Sequence, residues 1–158
     1  MKRERISGVL VRLGPGRSGG EKTGAQGSLA IVPADQVDSI VRLPRITQVV
    51  GARLPMLGLA AVDGAVMPVL TLTPEAGRAP STVPGAREVA APRVLVVCLH
   101  AGERVGLAGL EVVSIGHFDP DPSGPAAARV DGERVPFVDL AALAGELHAR
   151  PWAGRVRA

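Results

Sequence analysis

A ten-residue pattern occurs twice, and it restricts the chain to β structure more firmly than any other stretch. Asp63-Gly64-Ala65-Val66-Met67-Pro68-Val69-Leu70-Thr71-Leu72 and Asp131-Gly132-Glu133-Arg134-Val135-Pro136-Phe137-Val138-Asp139-Leu140 share one skeleton. It runs from an Asp-Gly pair through an apolar residue and a proline to two apolar residues, a small polar one and leucine. Asp-Gly before an apolar run predicts a hairpin, because the tight turn needs positive φ at both central positions. A proline lacks an N–H, so it fits a strand start, an edge or a bulge. Two copies predict two similar β units. A second echo agrees: Val37-Asp38-Ser39-Ile40 parallels Val112-Val113-Ser114-Ile115, each upstream of its Asp-Gly element.

Short apolar runs punctuated by Gly and Pro fill the chain. A first strand is predicted over residues 6–13, then a Gly-rich loop over 14–27 and a strand over 28–32. Residues 33–36 form a turn or one helical turn, 37–43 a strand closed by Pro44, and 46–50 a short extended piece. Residues 55–61 read as a helical turn leading into a strand, which Asp63-Gly64 turns into a strand over 66–72. Residues 73–92, rich in proline and small residues, have the composition of a linker between subdomains at about 28–72 and 93–140. The second half predicts strands over 93–99, 105–108, 110–118, 128–130 and 135–138, with a Pro-rich loop over 119–127. Asp139 caps a closing helix that ends near His148. The pattern is all-β, two small barrels that share strands or pack together within one domain over residues 1–158.

Aromatic residues make up 2% of the chain, so Val, Leu, Ile and Ala must build the core. The net charge of +3 is uneven. Residues 1–20 carry +4, residues 145–158 carry +2, and the part between carries −3. The basic character belongs to the ends, which argues against a nucleic-acid face on the barrels. No apolar run reaches the ~18 residues of a membrane helix, and the N-terminus lacks a secretory leader pattern; a cytoplasmic protein without direct membrane insertion is expected.

Chemistry-bearing motifs are few. Gly14-Pro15-Gly16-Arg17-Ser18-Gly19 satisfies GxGxxG after a strand, but no apolar periodicity follows to supply the helix that a dinucleotide phosphate requires. Glu21-Lys22-Thr23 fails as a phosphate loop for the same reason. His100, His117 and His148 have no metal-ligand spacing and read as strand-end, loop and last-turn residues. Asp119 and Asp121 read as a solvated turn. Cys98, in an apolar run, reads as a buried inert thiol. No catalytic, metal or cofactor site is expected. Such a scaffold acts through its surfaces.

In order along the chain, the sequence resembles the CheW-like family of chemotaxis coupling domains. Ile31-Val32-Pro33-Ala34-Asp35-Gln36-Val37 is similar to the family's LP-x-x-x-V-x-E-I element, and Val41-Arg42-Leu43-Pro44-Arg45-Ile46 to the stretch after it. Pro55-Met56-Leu57-Gly58-Leu59-Ala60-Ala61-Val62-Asp63-Gly64 is similar to I-x-G-L-x-N-L-R-G, and Met67-Pro68-Val69-Leu70-Thr71-Leu72 to x-P-V-V-D-L. Residues 94–107 resemble the hairpin V-x-V-V-x-x-x-G-x-x-x-G-L, and residues 137–143 the closing strand and helix. The resemblance covers residues 6–147.

It implies two five-stranded SH3-like barrels around a shared core, and a non-enzymatic adaptor that needs no cofactor. The implied partners are the regulatory domain of a CheA-type histidine kinase, docking barrel to barrel, and the cytoplasmic tip of a methyl-accepting chemoreceptor in the groove between barrels. The implied groove residues are Val37, Ser39, Ile40 and Asp63, and the implied apolar docking residues are Val41, Leu43, Ile46, Met56 and Leu57. Core packing is an equal reading for the apolar ones, and a plain turn for Asp63. The sequence departs from the family at Asp63, where an Arg is usual, and at Ser39, Thr71 and Ala30. An acid in place of a base changes which partner an interface favours, so a divergent receptor or the kinase alone both fit. The alternative is a stand-alone β-barrel binding module for nucleic acid or another ligand. Base stacking there would fall to Phe118, Phe137 and Trp152.

Overall fold

A computed structural model of the protein describes residues 4–13, 28–53, 55–72 and 94–149. The strands are β1 (Ile6–Leu13), β2 (Leu29–Pro33), β3 (Val37–Arg42), β4 (Met56–Val62), β5 (Ala65–Thr71), β6 (Val94–His100), β7 (Glu103–Ala108), β8 (Leu110–Pro120), β9 (Ala127–Val130) and β10 (Glu133–Pro136). A single 3-10 turn, Ala34–Gln36, joins β2 to β3, and α1 (Leu140–Ala149) closes the described chain. The Gly-rich loop over 14–27 and the 73–92 linker lie outside the described residues.

Three two-residue turns build the hairpins β4–β5, β6–β7 and β9–β10. Their central φ angles are 49° and 78° at Asp63-Gly64, 51° and 80° at Ala101-Gly102, and 50° and 85° at Asp131-Gly132. Positive φ at both positions matches the right-handed twist of the flanking strands. Asp tolerates this conformation better than most residues. Ala101 meets the same demand with no polar side chain to help.

Two expectations are corrected. Residues 55–61 contain no helical turn: a hydrogen-bonded turn comes just before, with Met56 N–H donating to Arg53 O at 2.9 Å, and β4 starts at once. Pairing with β5 through the Asp-Gly turn holds the segment extended. The 119–127 loop is shorter than predicted, because β8 continues through Pro120 to pair Asp119 with Arg129 and Pro120 with Ala128.

The strands form two five-stranded sheets, ordered β10-β9-β8-β1-β2 and β3-β6-β7-β5-β4. Each curls on itself. A parallel bridge from Ile31 to Phe137 joins β2 to the end of the first sheet, with Val138 N–H donating to Ile31 O at 2.8 Å. A Thr47–Leu59 bridge ties the segment after β3 to β4 in the second.

The chain does not finish one barrel before starting the other. Strands β1–β5 and β6–β10 are two series of the same kind, and each barrel takes the first two strands of one and the last three of the other. The pairings correspond: β1–β8 with β6–β3, the β9–β10 hairpin with β4–β5, and the parallel Ile31–Phe137 bridge with the parallel β5–β7 ladder. The segments 28–72 and 93–140 therefore both contribute to both barrels. The sequence echo falls on equivalent strands, β3 and β8, and both carry a bulge at its second residue, Asp38 and Val113.

The middles of β1 (Val9–Val11) and β6 (Leu95–Cys98) are buried on both faces, which explains their apolar runs. Val9 and Val11 face a shared cluster with Val32, Leu70, Val96, Cys98, Leu107 and Leu140. Leu10 faces the opposite way, into the first barrel, with Ile31, Ala128 and Val135. Leu95 and Val97 face into the second, with Met67, Val69 and Ala108. Each fully buried aliphatic side chain of this kind contributes about 1.5–3 kcal/mol. Asp139 caps α1, its Oδ1 accepting from Ala142 N–H at 3.0 Å. That seats Leu140 and Leu143 on the shared cluster.

Candidate functional site

The residues expected to dock partners gather around the second barrel, on two of its faces. Val37, Ile40 and Met56 are half-buried against the shared core. Val41, Leu43, Ile46 and Leu57 are half-buried against the cluster inside the second barrel. Ser39 pairs with Val97 across the β3–β6 ladder and is also half-buried. Asp63 stands apart. It is exposed in the β4–β5 turn, at the far end of β4 from Met56, roughly 20 Å along the strand.

Near Asp63 lies a feature absent from the sequence reading. Strands β5 and β7 pair only from Val69–Gly106 onward. Toward their turns they part, leaving an open slot of about 460 Å³ lined by Val66, Pro68, Leu99, Gly102, Glu103 and Arg104. Val66 is 69% exposed and Leu99 41%. Arg104 is turned toward β3, with its Nε 3.5 Å from Asp38 Oδ2. The slot thus presents two bare aliphatic side chains and a proline beside charged groups, a mixture suited to a protein surface. Val66 was detectable in principle. It alternates with Met67 and Val69, which face inward, so it must face outward. Leu99 was not, because its strand is apolar throughout.

Other bare aliphatics are Val50, Val113 and Ile115. Phe118 and Phe137 pack within the first barrel, so neither is a free platform for stacking a base.

The polar groups correct the sequence reading in two places. Asp119 is exposed and pairs with Arg5 at 3.1 Å, a solvated contact as expected. Asp121 is not solvated. Its carboxylate is buried beneath Arg134 and Arg129, whose Nε atoms lie at 2.7 and 3.6 Å, and Oδ1 accepts from Ser123 N–H at 3.1 Å. The Ser123 N–H first, then Arg134 and Arg129, hold its pKa below the ordinary carboxylate value against the opposing effect of burial. These contacts tie the 121–126 loop to β9 and β10. His117 lies within β8 rather than at a strand end or loop, with Nδ1 2.8 Å from Ser7 Oγ. Cys98 is buried as expected, and desolvation pushes its thiol up to about 12. Among the described residues, no group of three or more His, Cys, Asp or Glu side chains is placed to hold a metal. No helix there is long and apolar enough to cross a membrane.

Two interlocked five-stranded barrels with a short closing helix define an all-β domain whose outward features are apolar side chains and strand edges. Residues 23–146, most of the chain, match the CheW-like domain, and the protein belongs to the CheW-like family. Its fold is similar to that in the crystal structure of the scaffolding protein TtCheW from Thermoanaerobacter tengcongensis. The likeness has a TM-score of 0.58 at 17% identity, and covers 85% of this chain and 90% of that one. No curated protein sequence matches.

Proposed function

We propose that this protein is a cytoplasmic, non-enzymatic adaptor that couples a chemoreceptor tip to a CheA-type histidine kinase. The CheW-like match over residues 23–146 carries the reading. Bare aliphatics on the second barrel, Val66 and Leu99, support it. In this reading the kinase regulatory domain meets the end of the second barrel. Val66 and Leu99 enter its apolar contact, and Val41, Leu43, Ile46, Met56 and Leu57 offer a second apolar contact toward the other end of β4. Val37, Ser39 and Ile40 line the surface offered to the receptor. Asp63, an acid where the family usually has Arg, selects a receptor with a basic or neutral residue opposite it.

The test is binding of the purified protein to the kinase regulatory domain and the receptor tip encoded with it. Val66→Glu should weaken kinase binding about tenfold or more without unfolding the protein, because Val66 is 69% exposed. Asp63→Arg should change receptor affinity. Absence of binding to either partner would refute the adaptor reading.

A further inference from the structure

We propose that the outer edge of β8 is a strand-pairing surface for a second copy of this chain. Strand β8 spans eleven residues, Leu110–Pro120. One edge pairs with β1 from Leu110 to Phe118. The other pairs with β9 only at Asp119 and Pro120. Among the described residues, no strand covers that second edge between Leu110 and Phe118, so its N–H and C=O groups form a free template.

The side chains along it are those a strand partner would cover. Ile115 is 69% exposed and Val113 is 42% exposed, and both are β-branched. The equivalent strand of the other barrel makes the contrast. At the bulge, β3 has Asp38, held by Arg104, and four residues further on it has Arg42. In β8 the matching positions are Val113 and His117. Charge on an edge discourages strand addition. At these two positions the β3 edge carries that protection and the β8 edge does not.

The occupant follows from the order of residues. Two copies of β8 placed antiparallel about a two-fold axis at Ser114 set Val113 opposite Ile115 of the second copy, and Glu111 opposite His117. Both bare aliphatics gain apolar cross-strand neighbours, and an acid meets an imidazole. No two like charges face each other. The pairing is isologous, so it closes at a dimer instead of growing into a fibre. The bulge at Val113 adds local twist and keeps the usable edge short, which fits a reversible dimer.

The test uses the intact protein. Sedimentation equilibrium should show a mass rising with concentration from 16.2 kDa toward twice that value. Ile115→Lys should weaken the dimer about tenfold or more while leaving the circular dichroism spectrum unchanged. Register is read by disulfide trapping, with a clean background because Cys98 is the single cysteine and is buried. Ser114→Cys should form a disulfide-linked dimer under mild oxidation, since residues directly opposite in an antiparallel pair lie within disulfide reach. Val50→Cys, at a side chain 95% exposed elsewhere on the surface, serves as the control. A mass fixed at the monomer value, Ser114→Cys trapping no faster than Val50→Cys, or an undiminished dimer in Ile115→Lys would each overturn the proposal. None of these results bears on kinase or receptor binding.

Discussion

Gly58 sits where the segment after β3 crosses β4, and a single methyl group there should loosen the part of the second barrel that carries Leu43, Ile46 and Leu57. A Cβ on Gly58 would collide with the carbonyl oxygen of Thr47, and would stand 2.9 Å from both Ile46 Cγ2 and the Thr47 carbonyl carbon. Two of these three atoms are backbone, so no rotamer change relieves the contact. The 43–47 segment must lift, and lifting breaks the reciprocal bonds Thr47 N–H to Leu59 O and Leu59 N–H to Thr47 O, both 2.8 Å. Each such bond contributes about 1 kcal/mol net. Unpacking the half-buried Leu43 and Ile46 adds roughly 1 kcal/mol for the pair, less than their full burial would give. Gly58→Ala should therefore cost about 3 kcal/mol, a large share of the roughly 5–15 kcal/mol that holds a domain folded. Urea unfolding gives the loss, and amide exchange at Thr47 and Leu59 locates it. Gly116→Ala is the control, because a Cβ there meets nothing within 4 Å, and it should change stability by less than about 0.5 kcal/mol. If Gly58→Ala costs under about 1 kcal/mol and both amides stay protected, the reasoning fails.

The remaining predictions concern one carboxylate, one turn and one thiol. The folded pKa of Asp121 lies below its ordinary value of 3.8, so its contribution to stability is present above that value and is lost as pH falls through the depressed one. Urea midpoints measured from neutral pH downward should show this acid loss in the wild type, and less of it in Asp121→Asn, which should also be less stable at neutral pH. Ala101 holds φ of 51° without a side chain suited to it. Ala101→Asn should stabilise by about 0.5–1 kcal/mol, raising the thermal midpoint by roughly 2 °C. Cys98 should resist thiol reagents in the native protein and react promptly in urea, because its thiol is buried and its pKa is pushed up to about 12.

The docking residues divide by how local their signal is. Val41, Leu43, Ile46 and Leu57 were named from the family resemblance, and the fold gathers them around one cluster, but as half-buried packing at its margin. Asp63 stood out as a departure from the usual pattern, yet its distance from Met56 depends on which way β4 runs. The slot beside it arises because β5 and β7, joined in sequence by residues 72–102, pair in parallel for only three residues. Asp119 and Asp121 looked alike in sequence. Only one is buried, because Arg129 and Arg134 arrive from strands that follow.

The sequence alone determined what depends on neighbouring residues. Asp63-Gly64 and Asp131-Gly132 imposed two hairpins because their turns need positive φ. Apolar runs such as residues 94–99 marked strands, and Asp139 set the start of α1. The tertiary structure decided what depends on partners distant in the chain. It set the exchange of strand pairs between the two barrels, the bare edge of β8, the burial of Asp121 and the crowding at Gly58. A turn is fixed by the φ preferences of two adjacent residues. A strand's choice of neighbour depends on which buried faces fit together once the whole chain has condensed, and no local pattern encodes that.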